Sequence, residues 1–100
     1  MINAEIVRGA GGEVVSVTIK NHSESIVCAA VSMLVLNTIN SIEALTKQDF
    51  DCDYDEDGGY IHFAPKGPPD AGAELLVKAM LLGLTSVQEE YPHEIIMKEM

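Results

Sequence analysis

The run IVCAAVSMLVLNTINSIEAL, residues 26–45, decides the fold. Its first eleven positions are apolar except Ser32, and a polar face appears only near Asn37, Asn40 and Glu43. Ser25 precedes it as a good N-cap, because its hydroxyl can accept an orphan N–H of the first turn. The stretch reads as one long helix, apolar almost all round at its start, which marks a buried element. Upstream, Ile2, Ala4 and Ile6 alternate with Asn3, Glu5 and Val7, the period of a strand. Gly9-Ala10-Gly11-Gly12 breaks that pattern. Glu13 to Lys20 resumes it, with Val15, Val17 and Ile19 on one face, so the two runs form a hairpin.

Downstream, Phe50 to Asp55 alternates aromatic and thiol side chains with carboxylates. Asp57-Gly58-Gly59 turns the chain, and Tyr60 to Ala64 returns. Gly67-Pro68-Pro69 is a loop that can be neither helical nor paired. Asp70 caps a second helix that runs to about Glu90, with a core stripe of Leu76, Ala79, Met80, Gly83, Leu84 and Val87. Tyr91-Pro92 ends it, and His93 to Met97 reads as a last strand. The order is ββαββαβ: one α+β domain over residues 1–100, a two-layer sandwich of a mainly antiparallel sheet and two helices. Leu75 and Leu82, with Leu81 nearby, lie off the main stripe. Such a surplus marks a partner surface, and a homodimer is expected.

Lys+Arg number 6 against Asp+Glu 16, a net charge of -10. That balance excludes a nucleic acid backbone as partner, since it requires a basic footprint. It suits a basic partner or substrate, although a charge surplus alone also serves solubility. Met1 to Arg8 reads as a strand and not a secretory leader, and the apolar stretch Ile26 to Leu36 falls short of a bilayer. Two cysteines without secretory context fit reduced thiols, so the expected location is the cytoplasm, without a membrane.

The segment that carries chemistry is Asn21-His22-Ser23-Glu24-Ser25-Ile26-Val27-Cys28-Ala29-Ala30-Val31-Ser32. His22 ends the second strand and Cys28 lies in the first turn of the long helix, so a short loop can bring imidazole and sulfur together. A free thiol, with a pKa of ~8.5, is only slightly ionised at neutral pH. A helix N-terminus and an adjacent imidazolium both favour the thiolate, and this junction supplies both. First-turn amides have no intrahelical acceptor and can hold the oxyanion of a tetrahedral intermediate. Ser32, one turn on, can orient the sulfur or His22, or can bond back to the carbonyl of Cys28. The bland alternative for Cys28 is an inert core thiol, since cysteine is among the most buried residue types.

Other candidates carry less. Asp53 to Gly58 opens like a calcium loop, but its twelfth position is Ala64 where a bidentate Glu is required, and its flanks read as strands. Cys52 alternates with Phe50 and Tyr54 toward the core, as a structural thiol does. His62 and His93 fall on strands near the surface without the neighbours a zinc site needs. Gly9 to Gly12 lies between strands and is no phosphate loop. No metal and no cofactor are expected.

The strand-end His22, the run Ile26 to Ser32, the turn Tyr54 to Gly59 and the helix end Gln88-Glu89-Glu90-Tyr91-Pro92 resemble the ribosomal-processing cysteine proteases, the Prp family, in order along the whole chain. The resemblance implies a homodimeric endopeptidase with Cys28 as nucleophile, His22 as general base, and Ser32 at the position of the family's serine. Its implied partner is a basic one, the twenty-seventh large-subunit ribosomal protein, cut after two aromatic residues to remove an N-terminal extension. The family usually has Gly-His-Ala and a longer, gating loop before Asp-Ile-Val-Cys. Here Asn21-His22-Ser23 stands in that place, Cys28 follows His22 by six positions, and Ser25 replaces the aspartate. The shortened loop also admits a second reading on the same scaffold: a dimer that binds the ribosomal protein without cutting it.

Overall fold

The computed structural model describes residues 1–21, 26–55 and 59–100. Five strands and two helices follow in the expected order: β1 (Ile2–Arg8), β2 (Val14–Lys20), α1 (Ile26–Leu45), β3 (Asp49–Tyr54), β4 (Tyr60–Lys66), α2 (Ala71–Glu90) and β5 (Ile95–Glu99). The strands lie in the order β3-β4-β2-β1-β5. All neighbours are antiparallel except β1 and β5, which run parallel with Ile2 opposite Ile95. That parallel pair is possible because α2 carries the chain back along the sheet before β5 begins.

Gly12 takes the left-handed backbone of the first turn, with φ 83°, which a side chain would oppose. Early in β2 the register slips: Val7 sits opposite Ser16, but Arg8 sits opposite Val14. Val15 is therefore the extra residue of a β-bulge, and it is 45% exposed while Val14 packs on the core. This corrects the plain alternation, which put Val15 beside Val17 and Ile19 on the inner face.

The inner face of the sheet presents Ile2, Ala4, Ile6, Val17, Ile19, Ile61, Phe63 and Ile95, all buried. Both helices cover it, and they pack antiparallel. At Gly83 of α2 an added Cβ would lie 3.1 Å from Leu34 Cδ2 of α1, so the small residue is what allows that approach. The covered side of α1 is Val27, Cys28, Val31, Val35, Thr38, Ile39 and Ile42. Its other side is not buried: Ile26 is 77% and Met33 68% exposed. The all-round burial expected of this helix fails because the sheet supports only one of its faces. At 20 residues α1 is long and apolar enough to cross a membrane by length and composition. The stretch is thus not too short to span, as its apolar start suggested; what opposes a span is the packing of one face on the sheet.

In α2 the buried side chains are Ala73, Val77, Met80, Leu81 and Leu84. Leu81 belongs to the core and Ala79 to the surface, a rotation of the expected stripe. Leu75 and Leu82 stand out at 68% and 71% exposure, as the sequence anticipated. Asp70 caps this helix, its Oδ1 accepting from Ala73 N–H at 3.1 Å. The last strand starts two residues later than read, leaving His93 in the turn before it.

Candidate active site

Strand β2 ends at Lys20, and Asn21 then adopts φ 64°. Among residues with a side chain, Asn is one of the few that tolerate this left-handed region. That explains how Asn21 can stand where the resembled pattern has glycine. His22, Ser23, Glu24 and Ser25 lie outside the described residues, so the expected base and the expected N-cap are not placed. The chain resumes at Ile26 with the first turn of α1.

Cys28 is the third residue of that helix, as expected, and its side chain points to the sheet. It is 3% exposed, among Val27, Val31 and Val35. Ser32 follows one turn later, half-buried, with its Oγ 3.9 Å from Cys28 Sγ. Either group can be the donor in this contact. Both cysteines are reduced thiols and not a disulfide. Cys52 lies on β3, where burial first and the neighbouring Asp53 carboxylate second push its thiol above the ordinary range. A thiol held in that state is a poor nucleophile at neutral pH.

His62 is committed elsewhere. Its Nδ1 shares a 2.8 Å hydrogen bond with Thr18 Oγ1 across the open face of the sheet. Among the described residues no three His, Cys, Asp or Glu side chains gather closely enough to hold a metal. The calcium-loop reading of Asp53 onward meets strand geometry at Asp53 and Tyr54, and it calls on Glu56, Asp57 and Gly58, which lie outside the described residues.

Sequence reasoning missed Gln48. Its side chain is buried between the end of α1 and the start of β3, where Nε2 donates to Asp49 O at 2.9 Å and to Lys66 O at 2.8 Å. Its Oε1 accepts from Asp70 N–H at 2.9 Å. One amide thus ties β3, β4 and the cap of α2 together. No spacing rule distinguishes it from a surface glutamine.

The family model described as cysteine protease Prp matches residues 1–96. The ribosomal processing cysteine protease Prp of Staphylococcus aureus is 31% identical over 95% of this chain and 95% of its own. That of Bacillus subtilis is 32% identical over 70% of this chain and 66% of its own. In solved structures, the S. aureus protease with a covalently linked product peptide superposes with a TM-score of 0.94 at 31% identity, covering all of both chains. The same protease with a substrate peptide gives 0.94 at 28% identity, again over all of both chains.

Proposed function

The chain belongs to the cysteine protease Prp family, and on that premise we propose that it removes the N-terminal extension of a large-subunit ribosomal protein, with Cys28 as nucleophile and His22 as general base. The observation that carries this reading is the placement of Cys28 in the first turn of α1, in a chain that superposes over its full length on a peptide-bound protease. In the reaction, His22 takes the proton of Cys28 and the sulfur attacks the carbonyl carbon of the scissile bond. The oxyanion so formed is held by first-turn amides of α1. His22 then returns the proton to the leaving amine, and an acyl-enzyme remains on Cys28. Water, deprotonated by the same imidazole, releases it and restores the thiol.

Ser32 at 3.9 Å from the sulfur is a positioning residue in this scheme. The net charge of -10 suits a basic ribosomal protein as substrate and gives nucleic acid no footprint. The exposed Leu75 and Leu82 on α2 support a homodimer, and a protease acting on ribosomal proteins works in the cytoplasm. No cofactor enters the scheme. The test is cleavage of a peptide spanning the extension junction after its two aromatic residues. Wild type cuts it, and Cys28→Ala and His22→Ala each abolish the cut. Cleavage by Cys28→Ala at the wild-type rate ends the proposal.

A further inference from the structure

Among the described residues strand β3 has a single hydrogen-bonded neighbour, β4, and forms one edge of the sheet. Asp55 N–H donates to Tyr60 O at 3.0 Å. The register then sets Asp53 opposite His62, Asp51 opposite Ala64 and Asp49 opposite Lys66. In an antiparallel pair, residues that exchange hydrogen bonds alternate with residues that do not. The aspartates therefore direct their main-chain groups at β4. The N–H and C=O groups of Phe50, Cys52 and Tyr54 point away from the sheet. Pro65 agrees with this register: it lies opposite Phe50, where no N–H toward β3 is needed.

The two sides of this edge differ in chemistry. On the inner side, Phe50 and Cys52 are half-buried and Tyr54 is 62% exposed, an apolar ledge that the helices leave partly uncovered. On the open side stand Asp49, Asp51 and Asp53, with Lys66 Nζ 3.1 Å from Asp51. Charges on an edge strand discourage pairing with a second copy, because like charges would face each other. The same row attracts a basic chain. The edge also leads to the right place: Tyr54 pairs with Ile61, and Ile61 with Ile19, one residue before the end of β2 from which the chain passes to Cys28.

We propose that the outer edge of β3 takes an extended basic segment of the substrate as a sixth strand, through the main-chain groups of Phe50, Cys52 and Tyr54. Alternate side chains of that segment rest on the Phe50–Cys52–Tyr54 ledge, and those between them meet Asp49, Asp51 and Asp53. This is strand addition, in which main-chain bonds give affinity and alternate pockets give selectivity. The identity of the added segment rests on the endopeptidase reading; the edge itself does not.

The probe is a fluorescein-labelled peptide covering the cleavage junction and extended by a run of lysines and arginines, bound to the Cys28→Ala protein and followed by anisotropy. A series of peptides carries one N-methyl group at successive amides. Binding weakens about tenfold when every second amide is methylated and little in between, because each methyl removes one hydrogen bond. The triple variant Asp49→Asn, Asp51→Asn, Asp53→Asn weakens the parent peptide by roughly tenfold at low salt, as loss of three exposed pairings predicts. Its circular dichroism stays that of the parent. Methylation without a period of two overturns the proposal. So does a triple variant with unchanged affinity, or sedimentation showing that peptide and a second copy do not compete while the variant alters only self-association. An intact enzyme that binds with the period of two but never cuts would sink the endopeptidase reading and leave the docking edge standing.

Discussion

Replacing Gln48 by Leu tests the packing at the end of the molecule opposite Cys28. The leucine fills nearly the same buried volume but removes three hydrogen bonds, to Asp49 O, Lys66 O and Asp70 N–H. Each lost bond costs about 1 kcal/mol when its former partner can find some water, and more when it cannot. Gln48 is 8% exposed, but Lys66 and Asp49 are at the surface, so the lower figure applies to most of them. The loss is then about 3 kcal/mol, and added apolar burial returns roughly 1 kcal/mol. A net cost of about 2 kcal/mol is a large share of the 5–15 kcal/mol or so that holds an ordinary domain together. In a urea titration followed by far-UV circular dichroism, the midpoint should fall by roughly 1–2 M with an unchanged slope. Cleavage at low temperature should survive, because α1 rises roughly 25 Å between Cys28 and Leu45. A midpoint within about 0.3 M of wild type would refute the account of Gln48 as the tie between β3, β4 and α2.

Three further outcomes follow from particular contacts. Gly83→Leu should destabilise by about 2–4 kcal/mol in thermal melts, since its side chain must displace Leu34, while Gly83→Ala stays within about 1 kcal/mol of wild type because helix propensity offsets a 3.1 Å contact. The Ala73 N–H bond holds the Asp70 carboxyl below its ordinary range. With the folded pKa lower than the unfolded one, that stabilisation is complete above the unfolded value of about 4 and fades as pH falls through the folded value. Asp70→Asn should flatten this acid limb of the stability curve while still capping α2. Cys52, raised by burial and by Asp53, should alkylate more slowly than a small-molecule thiol at pH near 8 in the Cys28→Ala background, and Asp53→Asn should speed it.

The helix ends were legible because local chemistry marks them. Asp70 caps α2, Tyr91-Pro92 stops it, and Ile26 to Leu45 is flanked by polar sequence. Which face each helix buries was less legible. Helix α2 carries leucines or methionine at 75, 76, 80, 81, 82 and 84, so several stripes satisfy the same periodicity. The choice among them is made by α1, which meets α2 at Gly83. Ile26 and Met33 look like core in sequence and are surface in the fold, for want of a second layer over them. The bulge at Val15 and the parallel pairing of β5 with β1 depend on contacts distant in sequence, which alternation along one strand does not report. At the site, the strand-to-helix junction was readable from Cys28 and Ser32, and the structure sets them 3.9 Å apart. Asn21 in a left-handed backbone had no signal except its residue type.

The central claim is that Cys28 carries the acyl group. Mixing the enzyme with the extension peptide and quenching within one turnover allows intact and peptic-fragment mass spectrometry to locate the adduct. The expected result is a mass increase equal to the acyl portion on the fragment holding Cys28, lost in Cys28→Ala, and no adduct on Cys52. Product formation by the wild type with the acyl group on another residue, or turnover by Cys28→Ala, would contradict it.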